Sequence, residues 1–201
     1  MIDINDPILI ESLEDFRKRV IKNTARFPAV EFPSGMTLGN PLYCAMGLVT
    51  EAWEFYEEYR KASPTRSKDF WEDGADGIAY TLELGDCLWY ALALCTAYKV
   101  KVPAILKEAQ QDSCDAIEAH RGLMIVESSI ALLDAHKKLW RDGTSNPRWD
   151  ALFLHLRRTL YLILATFEDN IHCIEAMALV EDKLMARAQT IAMEKAPTLQ
   201  R

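Results

Sequence analysis

Apolar positions recur along most of this chain at intervals of three and four, the spacing of one face of a helix. Runs of alternating β-branched residues bounded by turn pairs, the mark of half-buried strands, are not found in it. The pattern predicts an all-α helical bundle. A first helix is expected over about residues 8–25, stopped by the Pro- and Gly-rich stretch that begins at Phe27-Pro28 and ends at Asn40-Pro41. A second is expected over about 42–61, then a polar loop holding Pro64, Gly74 and Gly77, then a third over about 78–100. Pro103 suits the first turn of a fourth, over about 103–120.

Beyond Gly122 the pattern starts again. Leu123-Met124-Ile125-Val126-Glu127 echoes Gly47-Leu48-Val49-Thr50-Glu51, and Leu160 to Ala165 echoes Leu88 to Ala93, with a turn-rich segment at Asp142 to Pro147 between them. The expectation is a unit at 1–120 and a degenerate repeat at 121–201 packed on it, a pseudo-dimer of two four-helix units in one chain. The competing explanation is that any two helical hairpins with apolar faces look alike.

Composition narrows the class. With 201 residues, half of them hydrophobic, the chain can bury a real core and is not disordered. A net charge of −7 argues against nucleic acid or an anionic membrane as a partner. No apolar run is expected to reach membrane-spanning length, and acids stand at the N-terminus where a signal peptide would carry basic residues, so the expected location is cytoplasmic. The five cysteines, Cys44, Cys87, Cys95, Cys114 and Cys173, lie in apolar runs without CxxC spacing, which fits buried thiols better than zinc or disulfides.

Two acidic pairs change the picture. Glu51/Glu54 and Glu83/Asp86 are each separated by three positions within apolar helical runs. That spacing puts both carboxylates of a pair on one helix face, about 5–6 Å apart at Cβ. From Ile78 to Val100 the only charged residues are Glu83, Asp86 and Lys99. Four converging carboxylates in a bundle interior need a counter-charge, since desolvation and mutual repulsion must both be offset. Oxygen-only ligands favour Mg²⁺, Mn²⁺ or Ca²⁺ over zinc. The competing reading places Glu51 and Glu54 on a solvated face with Glu57, Glu58 and Arg60.

The ordered set Glu51-x-x-Glu54 and Glu83-x-x-Asp86 resembles the motif of the all-α nucleoside triphosphate pyrophosphohydrolases, the superfamily of MazG-like proteins and dimeric dUTPases. Thr24-Ala25-Arg26-Phe27-Pro28 is similar to the family's Thr-Ala-x-aromatic-Pro, and Leu82 to Tyr90 follows its Glu-Leu-Gly-Asp-x-Leu-Trp-Tyr segment. The resemblance spans about residues 13–106, roughly half the chain. Trp53 stands where the family commonly has a small residue. The family's Asn-x-x-Lys-Leu-x-x-Arg segment is missing from the fourth helix, whereas Lys183-Leu184-Met185-Ala186-Arg187 in the second half resembles its end.

The resemblance implies Mg²⁺-dependent hydrolysis of a (deoxy)nucleoside triphosphate to monophosphate and pyrophosphate, with Mn²⁺ as the alternative ion. Glu51, Glu54, Glu83 and Asp86 are then the metal ligands and Glu54 the candidate base, while Arg60, Lys61 and Lys183 are candidates for the phosphates. Phe27, Phe70 and Trp71, together with Phe32, are candidates to stack on the nucleobase, against simple loop packing. In the repeat, Glu51, Glu54, Glu83 and Asp86 correspond to Glu127, Ile130, His155 and Arg158, which leaves one carboxylate and no expected metal. A homo-oligomer stays open. The alternative function is a non-catalytic helical module for dimerisation or regulation with a vestigial metal site. A carboxylate-bridged di-iron bundle would need Glu-x-x-His pairs, and none of the four histidines lies in the acidic helices.

Overall fold

The computed structural model describes residues 2–26, 41–62, 75–109, 120–143 and 145–194. All regular elements among them are helices: α1 (Pro7–Arg26), α2 (Pro41–Ala62), α3 (Ala75–Ala97), α4 (Val102–Ala109), α5 (Arg121–Asp142), α6 (Asn146–Thr166) and α7 (Asn170–Glu194). Local chemistry accounts for the ends. Asp6 Oδ1 accepts the Ile8 N–H at 2.9 Å, and Asp169 Oδ1 accepts the His172 N–H at 3.0 Å, so an aspartate satisfies exposed donors at the start of α1 and of α7. Gly143, at φ 79°, breaks the chain after α5, and Pro147 lies in the first turn of α6.

The third helix ends at Ala97, three residues before its expected limit. Lys99 adopts φ 56°, and the Val100 N–H turns back to donate to the Cys95 carbonyl at 2.8 Å, which closes the helix in a left-handed cap. The fourth helix is described to Ala109, and the remainder of its expected span, 110–119, lies outside the described residues.

Burial follows the apolar spacing. Leu9, Leu13 and Phe16 of α1, Leu48, Ala52 and Phe55 of α2, and Leu152, Leu156, Leu160 and Ile163 of α6 are fully enclosed, each set at intervals of three and four. One apolar cluster draws on all seven helices. α3 lies at its centre, packed against α1, α2, α6 and α7, with Leu84, Cys87, Leu88, Ala91, Leu92 and Cys95 inaccessible to solvent. This position corrects one expectation: Gly77–Ala97 is long and apolar enough to cross a membrane, yet its spanning window is 67% buried inside the bundle. The helix is apolar on nearly every side because protein covers nearly every side.

The contacts among α2 to α7 fall into two hairpins, each with one further helix. α2 packs on α3 as α5 packs on α6, and α3 meets α7 as α6 meets α4. The remaining contacts, α2 with α5 and α3 with α6, join the two groups. A buried hydroxyl pair, Ser128 Oγ to Thr159 Oγ1 at 2.8 Å, ties α5 to α6.

Candidate metal centre

Helices α2 and α3 run antiparallel. Gly47 lies against the Tyr90 ring, and the Phe55 ring centroid is 4.9 Å from that of Tyr80. Glu51, midway between Gly47 and Phe55, therefore falls opposite Glu83 and Asp86, midway between Tyr80 and Tyr90. One carboxylate oxygen from each of Glu51, Glu83 and Asp86 lies within 4.8 Å of the others. Asp86 is only 8% exposed, and Glu83 Oε2 is buried without a hydrogen-bond partner. The Gly47 position matters for this approach, because a Cβ there would lie 2.4 Å from a Tyr90 ring carbon.

Burial penalises charge at all three acids. It raises the Glu51 carboxyl from 4.5 to about 7, aided by repulsion from Asp86 and Glu54 and opposed by Lys183. Glu83 is also raised, by burial first, and its hydrogen bond with Glu51 offsets this only in part. Asp86 is raised too, because burial outweighs the hydrogen bond and charge of Lys183 and the smaller effect of the Arg187 charge. The Lys183 ammonium pairs with Asp86 Oδ2, a contact from α7 across 97 positions of chain. One ammonium against three carboxylates leaves the centre short of positive charge. Hard oxygen donors, a shortfall of positive charge and an unpartnered buried oxygen together fit a hard divalent cation.

The aromatic wall beside the acids comes from α2 and α3. Tyr43 and Tyr90 have ring centroids 6.4 Å apart, and Trp89 meets Tyr90 edge-on at 4.7 Å. Burial raises the Tyr90 hydroxyl so far that it stays protonated. Cys87, next to Asp86, is raised by its full burial and by the four acids, which makes it an inert thiol.

The other sequence candidates fall in several places. Glu54 is exposed and outside the close group, although its charge acts on Glu51 and Glu83, so the solvated-face reading describes Glu54 and not Glu51. Trp53 is 49% exposed and packs on Tyr56 at 5.8 Å, away from the acids. Arg60 and Lys61 occupy the exposed last turn of α2; Arg60 lies 5.9 Å from the Tyr56 ring centroid and Lys61 pairs with Glu58. They are not brought to the acids. Lys183 is. Phe27, Phe32, Phe70 and Trp71 lie outside the described residues. In the second half, Glu127, Ile130 and Arg158 are exposed and His155 is half-buried.

Sequence reasoning passed over Arg187, whose charge reaches Asp86, although it closes the same Lys-Leu-x-x-Arg segment that drew attention to Lys183. Gly85, part of the Glu-Leu-Gly-Asp resemblance, has a packing role that the sequence does not announce. A Cβ there would lie 2.8 Å from Val180 Cγ2 and 3.0 Å from the Ala176 carbonyl oxygen, so its absence lets α7 settle against α3 beside Asp86. Comparison of the chain with protein-family models, with curated proteins and with solved structures gives no match.

Proposed function

We propose that this chain is a divalent-cation-dependent pyrophosphohydrolase of (deoxy)nucleoside triphosphates, of the MazG-like kind that its acidic motif resembles, with Mg²⁺ as the ion and Mn²⁺ as its substitute. The observation that carries the reading is the convergence of Glu51, Glu83 and Asp86, with their oxygens within 4.8 Å, beside a lysine brought from the far end of the chain. Glu51, Glu83 and Asp86 would hold the ion, and Glu54 would complete the set from the solvent edge. A bound divalent ion supplies charge neutralisation for the phosphates and acidifies a coordinated water. Glu54, exposed and with a carboxylate oxygen to spare, is the residue we assign to take the proton from the attacking water. Lys183 and Arg187 supply positive charge for the anionic oxygens of the substrate. The exchange of neighbours between α2, α3, α4 and α5, α6, α7 supports a second unit that has lost three of the four acids and lends α7 to the first.

Release of pyrophosphate across a panel of canonical and modified nucleoside triphosphates, with Mg²⁺ and with EDTA, tests the reading. Asp86→Asn is expected to lower the rate on the order of a hundredfold. No Mg²⁺-dependent release from any member of the panel would refute the enzyme. One observation favours a second reading: the Lys183–Asp86 pair is a counter-charge built into the fold, as a non-catalytic module with a vestigial centre would require. That module would leave the whole panel intact.

A further inference from the structure

We infer that Lys183 is an internal competitor for the metal centre: its ammonium holds Asp86 Oδ2 in the metal-free protein, and breaking that pair is part of the cost of binding a metal ion. The inference rests on the reading of Glu51, Glu83 and Asp86 as metal ligands. The carboxylate that Lys183 grips is one of those three, so the same oxygens cannot serve the ammonium and a cation fully at once. The contact is sheltered, with the Asp86 side chain 11% and the Lys183 side chain 22% exposed, and salt in the medium does little to weaken it.

The grip is built in by packing. Ala176 and Val180 of α7 close on Gly85 of α3, and Lys183, one turn beyond Val180, is thereby set over Asp86, the residue after Gly85. Moving the ammonium off Asp86 needs only rotation about its four-carbon stem. Once released, it lies beside the acids as a free donor for an anionic oxygen. Binding of a cation and of a phosphate group then favour one another, since each relieves what the other must overcome.

The test is calorimetric titration of Mn²⁺ alone into the full chain, as wild type and as Lys183→Met, Lys183→Arg and Arg187→Met. Lys183→Met is expected to bind Mn²⁺ on the order of tenfold more tightly, the scale of a lost charged hydrogen bond. Lys183→Arg keeps the competing charge and stays close to wild type. Arg187→Met, which removes an exposed charge, changes affinity by much less. Equal gains from Lys183→Met and Arg187→Met would show a general loss of positive charge and overturn the competition. Wild-type binding with no gain in Lys183→Met sinks this inference alone. No Mn²⁺ binding by either protein sinks the metal reading beneath it. Should Lys183→Met fail to fold, the wild type decides: the Lys183 side-chain NMR resonance moves on saturation with Mg²⁺, and a resonance that stays in place while Mg²⁺ binds overturns the inference.

Discussion

Replacing Glu51 by Gln in the metal-free protein is expected to stabilise it, by an amount that grows as pH rises from about 4.5 to about 7 and is small at pH 5. The unfolded chain releases the Glu51 proton near the ordinary 4.5, whereas burial and the neighbouring acids hold it in the folded protein to about 7. The favourable contribution of the protonated side chain is therefore complete below about 4.5 and is lost as pH rises through about 7. At about 1.4 kcal/mol for each tenfold step the difference is about 3 kcal/mol, and allowing for the part of the side chain that water reaches brings it to about 2 kcal/mol. Glutamine keeps the shape and carries no charge. In a chain of this length such a gain raises Tm by about 4–8 °C. The assay is thermal melting of both proteins in EDTA at pH 5 and pH 8. His136 and His155, whose burial lowers their pKa, gain stability as pH rises, the opposite sense, but they are common to both proteins and cancel in the difference. A variant no more stable than wild type at pH 8, or equally favoured at pH 5, would refute the reasoning.

Gly85→Ala gains about 1 kcal/mol of helix propensity but forces a methyl against Val180 and the Ala176 carbonyl, at a cost of about 1–3 kcal/mol, so a net loss of about 1 kcal/mol is expected in urea melts. A more stable variant would show that α7 is free to shift. MgCl₂ or MnCl₂ raises the melting temperature of the wild type beyond a control of matched ionic strength, in step with occupancy; no excess shift would refute metal binding by the close group. A chain cut after Arg121 loses the helices that cover α2 and α3, exposes their apolar faces and aggregates or dimerises. If size-exclusion chromatography finds it monomeric and it retains full activity, α5 to α7 are a separate appendage.

The helical class was legible because Leu9, Leu13 and Phe16, or Leu152, Leu156 and Leu160, repeat at a spacing that only a helix can bury on one side. Glu83 and Asp86 were legible for the opposite reason, as charges in a segment with almost no others. The difference between Glu51 and Glu54 was not. Three positions along a helix turn a side chain by about 300°, so two residues on nominally one face fall on either side of a boundary that only the packing of α3 draws. The early end of α3 was hidden because Lys99 carries no sign of a left-handed cap, where glycine is the usual marker. The Lys183–Asp86 contact depends on tertiary packing, and the sequence offered only fragments of resemblance at Lys183 and Gly85, with no sign that they meet.

The distance between Asp86 and Lys183 along the chain also governs when the centre comes into being. Helices α1 to α6 are synthesised before α7, and until α7 docks, the acids of α2 and α3 stand without their built-in cation. Closing that 97-residue interval carries the entropy cost of a distant contact, a cost that the packing of α7 on α3 must offset. A nascent or misfolded chain thus carries the carboxylates but not the balance of charge around them. The balanced centre therefore exists only where α2, α3 and α7 are all in place.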